Sequence, residues 1–229
     1  MKILASGSKG NCYVKDDLMI ECGLSFDKIL KLSNYDLKAV QYCILTHFHK
    51  DHSKAANDLI KHGIQVYASA ETFANLKLKS YVNCYTIRAG GIYELGSWTI
   101  YPFEAEHCEG ALYFVLDRKN KISDRLLFST DNRVIRQNIA GLTEIYIEAN
   151  HSRELLDKRI AEGLIDRARA EAIQAHMSFE DCLDWLKKQD LSKVRSITLL
   201  HLSDSNANEK QFIETVEKTT GIPTYGVKK

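Results

Sequence analysis

The chain has almost no excess of charge of either sign: 31 Lys and Arg stand against 30 Asp and Glu, a formal net charge of +1 over 229 residues. A dedicated nucleic-acid binder usually shows a basic excess, so composition alone does not supply a broad track for a polymer backbone. Basic residues gather locally at Arg118-Lys119-Asn120-Lys121 and Lys187-Lys188. From Arg153 to Arg169 they interleave with Glu154, Asp157, Glu162 and Asp166, the pattern of a solvated helix face. Long apolar runs are missing, which excludes a helix that spans a bilayer. Met1-Lys2-Ile3-Leu4 breaks at once into Ser-Gly-Ser-Lys-Gly and does not read as a signal peptide. The six cysteines are scattered with no Cys-x-x-Cys pair, and several lie in apolar runs, where a thiol behaves as a small hydrophobe. Reduced thiols and no export pattern give the expectation of a cytoplasmic protein without a membrane partner. There is no repeat and no long polar linker, so one domain is expected over residues 1–229.

Short apolar segments bounded by turn residues fill the first two thirds. Strands are expected at residues 2–5, 18–21, 41–46, 64–68, 81–87, 98–104, 112–117, 126–129, 145–148 and 196–200, with an edge strand at 224–227. Helical periodicity appears at 53–61, 152–175, 179–188 and 208–219, and Ser178 reads as the N-cap of the third of these. Ser6 to Asn11 lacks the Gly-x-x-x-x-Gly-Lys-Ser/Thr spacing of a phosphate loop. It reads as a tight connection between the first two strands that leaves backbone near the candidate site, and Cys22-Gly23 reads as another turn. The alternation points to an α/β protein with two sheets covered by helices rather than one doubly wound sheet.

The densest chemistry lies in Thr46-His47-Phe48-His49-Lys50-Asp51-His52, directly after the apolar run Tyr42 to Leu45. On extended backbone His47 and His49 point the same way, while Asp51 and His52 follow once the chain has turned. Imidazole and carboxylate suit Zn²⁺ and similar borderline ions, and no thiolate sits in the run. Such a motif holds two ions side by side, for which about seven protein ligands are needed. His107, Asp131 and His201 each stand at the end of an expected strand and can complete the set, Asp131 as a bridge. Taken singly, each also fits a satisfied loop histidine or a helix-capping aspartate.

His-x-His-x-Asp-His followed in order by a lone His, an Asp and a final His resembles the metallo-β-lactamase-fold hydrolases. The resemblance implies an αββα sandwich of two mixed β-sheets flanked by helices. Leu4 to Cys12, Ser129-Thr130-Asp131, Glu148-Ala149-Asn150-His151 and His201-Leu202-Ser203-Asp204 are similar to the YycJ/WalJ-like subfamily, which is associated with DNA exonuclease activity. Carried over residue by residue, His47, His49 and His107 hold one metal, Asp51, His52 and His201 the other, and Asp131 bridges them. The family's His-Leu-Ser segment corresponds to His176-Met177-Ser178. The chain departs from the family where Cys108 follows His107, Ser152 follows His151 and Ala175 precedes His176.

The expected function is that of a hydrolase using two divalent ions (Zn²⁺ or Mn²⁺) and a hydroxide bridging them, acting on the phosphodiesters of a nucleic acid or nucleotide. Asp51 and His176 are the expected catalytic residues, and His151, His176 and Ser178 the expected substrate-binding ones. Imidazole titrates near neutrality and can donate to a phosphate oxygen or a leaving alkoxide. Two other readings stand beside this: a phosphodiesterase for a small cyclic nucleotide, and a hydrolase of ester, thioester or amide bonds. His62 reads as a helix C-terminus.

Overall fold

Three short strands open the chain as an antiparallel ladder: β1 (Lys2–Ala5), β2 (Cys12–Lys15) and β3 (Leu18–Cys22). The computed structural model describes residues 1–119 and 124–227, so Asn120 and Lys121 of the first basic cluster lie outside the described residues. The described chain divides into two compact units, residues 1–104 with 108–119 and residues 105–107 with 124–227.

In the first unit the ladder continues in parallel after helix α1 (Phe26–Leu32), through β4 (Tyr42–Ile44), helices α2 (Lys50–Ser53) and α3 (Ala56–Lys61), β5 (Gln65–Ala68), α4 (Ala70–Asn75) and β6 (Cys84–Thr86). The sheet is mixed, in the order β1 to β6. Every residue of β3 is buried, as in a strand covered on both faces. Met19, Cys43, Leu45 and Val66 pack against Ile29 of α1, Ala56, Leu59 and Ile60 of α3, and Phe73 of α4. Each buried Leu or Ile there contributes about 1.5–3 kcal/mol. The same unit holds an antiparallel meander of β7 (Tyr93–Leu95), β8 (Trp98–Glu104) and β9 (Leu112–Arg118).

The second unit is built on four parallel strands, β10 (Arg125–Ser129), β11 (Glu144–Glu148), β12 (Ser196–Leu200) and β13 (Thr224–Gly226), paired in that order. Parallel neighbours need crossovers. Helices α5 (Arg153–Ala161), α6 (Arg167–Gln174) and α7 (Phe179–Lys188) join β11 to β12, and α8 (Glu209–Thr220) joins β12 to β13. The amphipathic α7 buries Phe179, Cys182, Trp185 and Leu186, and Phe179 stacks on Phe212 of α8 at 4.0 Å. The architecture is α/β, two mixed sheets flanked by helices.

Several expectations need correction. The helix read over 152–175 is two helices, because Gly163 adopts a left-handed φ of 72° and Asp166 caps a new start at α6. The helix after the metal motif begins inside the motif, at Lys50, so Asp51 and His52 sit on a helical turn. Strands β2 and β7 and helices α1 and α4 were not legible; none exceeds seven residues, too short for a clear period. The Ser6–Asn11 connection therefore joins β1 to β2. All six cysteines are free thiols, and among the described residues no helix is long and apolar enough to cross a membrane.

Candidate metal centre

In the first unit the metal motif leaves β4 and bends into α2. His47 Nε2 and His49 Nδ1 face one another at 2.9 Å, while His47 Nδ1 meets the Thr46 hydroxyl at 2.9 Å. One turn on, His52 Nε2 lies 3.5 Å from Asp51 Oδ2. His47 and His52 are fully buried. Nitrogen and oxygen donors thus converge in two pairs, and a tetrahedral ion at about 2.0–2.1 Å from each donor fits such spacings. The early loop supplies the expected backbone: Asn11 N donates to the Asp51 carbonyl at 2.7 Å. Asn11 Oδ1 accepts from Gly7 N at 2.8 Å, which turns Nδ2 toward His52 Nε2 at 3.1 Å. That amide donates, so His52 Nε2 carries a lone pair and Nδ1 the proton. Gly23 makes the approach possible, since a Cβ there would stand 1.6 Å from the Asp51 carbonyl oxygen.

In the second unit Asp131 stands at the exit of β10, between three histidines. Its Oδ2 lies 3.8 Å from His107 Nε2, and its Oδ1 lies 3.4 Å from His201 Nδ1 and 3.7 Å from His176 Nδ1. One oxygen toward each side is the disposition of a bridging carboxylate. Asp131 and His201 hold φ values of 49° and 53°. Left-handed backbone costs a residue with a side chain about 1–2 kcal/mol and clusters at functional sites. Asp131, Glu148, His176 and His201 each present a ligand atom within 4.8 Å of one another.

Behind these histidines lies a carboxylate that the sequence reading missed. Glu148, fully buried at the end of β11, has Oε1 2.9 Å from His201 Nδ1 and 2.8 Å from His176 Nδ1. Its Oε2 accepts from the backbone of Asn132 at 3.2 Å and Met177 at 3.3 Å. Burial pushes its pKa up, but the facing histidines outweigh it and hold the group at about 2. In the first unit Glu21 is its counterpart, 3.4 Å from His52 Nδ1. The signal was present in both apolar strands, Leu-Met-Ile-Glu and Ile-Tyr-Ile-Glu, each ending on a carboxylate that burial obliges to find partners.

His151, His176 and Ser178 line one cavity of about 420 Å³ in the second unit, together with Arg133, Arg153 and Asp181. The two arginines were not singled out in the sequence. Arg133 pairs with Glu106 at 3.7 Å, and Arg153 pairs closely with Asp181. Ser178 caps α7, its Oγ accepting from Asp181 N at 3.1 Å and donating to Asp181 Oδ2 at 2.7 Å. Burial lowers the pKa of His151, against the pull of Glu148 and Glu180, which keeps it neutral at pH 7. His62 caps the end of α3, with Nδ1 2.7 Å from the Asp58 carbonyl.

The model of the metallo-β-lactamase superfamily matches residues 7–140, more than half of the chain. The chain belongs to the metallo-β-lactamase superfamily. The match takes in His47, His49, Asp51, His52, His107 and Asp131 and ends before Glu148, His151, His176 and His201. Among solved structures of this fold, the metallo-β-lactamase fold protein YhfI from Bacillus subtilis is similar with a TM-score of 0.69 and 13% identity, over 99% of this chain and 95% of its own. A diphosphatase of the PhnP family gives 0.59 and 13% over 99% and 93%. Human tRNase Z, short form, gives 0.56 and 13% over 89% and 92%. At these identities the likeness is one of fold. No curated protein matches the chain. The coarse chemistry follows from superfamily and donor set together: a metallo-hydrolase.

Proposed function

We propose that this metallo-β-lactamase-fold hydrolase is a two-metal phosphodiesterase of the YycJ/WalJ-like, exonuclease type, acting in the cytoplasm on a nucleic acid or nucleotide. The observation that carries the reading is the cavity beside Asp131. It brings the three candidate substrate residues, His151, His176 and Ser178, together with two arginines suited to phosphate. The similar folds of a PhnP-family diphosphatase and of tRNase Z support a phosphorus-centred reaction.

In this reading His47, His49 and His107 hold one divalent ion, Asp51, His52 and His201 the other, and Asp131 spans both. Zn²⁺ or Mn²⁺ bound there supplies Lewis acidity and a water that ionises near neutrality. Asp51 orients that water for in-line attack on phosphorus. Arg133 and Arg153 hold the non-bridging oxygens through charge-assisted hydrogen bonds, and neutral His151 adds an N–H donor. His176, whose Nδ1 is fixed on Glu148, passes a proton from Nε2 to the leaving alkoxide; the buried carboxylate is the counter-charge that a protonated imidazole needs.

The test is hydrolysis of bis-p-nitrophenyl phosphate beside an ester, a lactam and a thioester, then labelled linear DNA, single-stranded RNA and cyclic nucleotides, with Mn²⁺ or Zn²⁺. Turnover is expected on the diester and on linear DNA. Activity confined to carbon esters, thioesters or lactams would overturn the reading. The second reading, a small cyclic nucleotide as substrate, has the net charge of +1 in its favour, since a mononucleotide needs no basic track. His49→Ala should lose turnover and bound metal together, measured by assay and elemental analysis of the same sample.

A further inference from the structure

Glu21 occupies a backbone position that chemistry other than folding has to justify. It lies in β3, where Cys22 pairs with Cys12 and Ile20 with Tyr13, so Glu21 has no partner in β2 and forms a bulge. Its φ is 62°, in the left-handed region that glycine fills without cost. A glutamate there is strained, and it is fully buried as well. The bulge aims its side chain at the metal motif: Oε1 accepts from Thr46 N at 2.9 Å, and Oε2 stands 3.4 Å from His52 Nδ1. Glu148 repeats the arrangement in the other unit, fully buried, its Oε1 2.9 Å from His201 Nδ1.

A carboxylate only accepts, so each of these contacts places the proton on Nδ1 and leaves the lone pair on Nε2. Asn11 Nδ2, 3.1 Å from His52 Nε2 and turned there by its own carbonyl bond to Gly7 N, points to the same tautomer of His52 from the opposite side of the ring. For His201, the Asn150 amide is accommodated by donating to the His201 backbone carbonyl at 2.9 Å. His47 is treated differently: its Nδ1 meets a neutral hydroxyl, that of Thr46.

We infer that Glu21 and Glu148 are a matched pair of positioning residues that present Nε2 of His52 and of His201 to the same ion, so that one of the two ions depends on buried carboxylates and the other does not. This rests on the ligand assignment proposed above, in which His52 and His201 share an ion with Asp51. Outer carboxylates of this kind set tautomer and ring orientation and raise ligand basicity, and their removal typically weakens metal binding roughly 10–100-fold.

The experiment is Zn²⁺ stoichiometry and affinity, by titration calorimetry on chelator-stripped protein and elemental analysis after dialysis. It is run on the full chain and on Glu21→Gln, Glu148→Gln, Glu21→Gly, His52→Ala and His201→Ala. Glu21→Gln and Glu148→Gln should each weaken one ion by roughly 10–100-fold and leave the other at its original affinity. Glu21→Gly relieves the backbone strain and is expected to fold, so it keeps the test open if a glutamine variant does not; it too should weaken one ion. His52→Ala and His201→Ala should lose that same ion. Two ions of unchanged affinity in the glutamate variants, with one lost in the histidine variants, overturns the positioning role alone. Two ions retained in the histidine variants overturns the ligand assignment itself. Loss of both ions together in Glu21→Gly, with the melting curve of the metal-free chain intact, also overturns the selectivity claimed.

Discussion

His151 shows what a single environment does to a familiar side chain. Burial favours the neutral imidazole, so its folded pKa lies below the ordinary value of 6.5. The unfolded chain then binds a proton that the fold refuses. By linkage this contribution to stability is complete above pH 6.5 and is lost as pH falls from there toward the folded pKa. His151→Leu should flatten that part of the stability profile, measured as urea midpoints between pH 7 and 5. An unchanged slope would show that His151 is not the group responsible. Asp181 works in the other range. Burial alone would raise its pKa, but hydrogen bonds from Arg153 and Ser178 outweigh it and hold it below 3.8. Its contribution is therefore present above pH 3.8 and fades below. Neither behaviour is legible in the sequence, because both depend on neighbours that only folding supplies.

At the scale of elements, the candidate ligands stand where strands end or helices begin. The end of a strand is the point at which a chain leaves the ladder while its base stays rigid. The N-terminus of α7 was legible, since Ser178 with an acid three residues on is a capping pattern, and the structure places that cap as expected. Ser178→Ala should cost about 1 kcal/mol in urea unfolding. It should also raise KM more than it lowers kcat, because the cavity loses a wall and keeps its proton donor. The break between α5 and α6 was not legible, since charged residues run through it without a change of pattern. The turn at Gly23 was expected, but the reason only glycine serves there was not. Gly23→Ala sets a methyl 1.6 Å from the Asp51 carbonyl oxygen, an overlap that must displace α2. Overpacking of this kind costs about 1–3 kcal/mol. Metal content should fall with stability, and a variant with full metal occupancy would contradict the close approach.

For the whole molecule, the near-balance of charge sets a limit on how a polymer could be held. If the substrate is a nucleic acid, few phosphates are neutralised, and the logarithm of affinity should fall with the logarithm of salt by a slope of about −0.9 per phosphate contacted on duplex DNA. A slope near −2 is expected if Arg133 and Arg153 make the contacts. A much steeper slope would require a basic surface beyond that cavity. Chelation should abolish hydrolysis, and Mn²⁺ or Zn²⁺ should restore it; activity that survives exhaustive chelation would remove the metal from the reaction.

The sequence by itself determined the superfamily, the α/β class and the identity of the donors. Those rest on local spacing: alternate residues on one strand, then a helical turn, put His47, His49, Asp51 and His52 together whatever the rest of the chain does. Tertiary structure alone decided what stands behind and beside them. Glu148 reaches His201 across 53 residues of sequence and His176 across 28. Arg133 joins His151 and Arg153 in one cavity only because parallel strands deliver their ends to the same edge. The left-handed backbone of Glu21 is set by pairing to β2, a strand the sequence did not announce. Ligand identity is a property of residues close in sequence, whereas tautomer, charge and strain belong to partners far apart in the chain, and only folding chooses those.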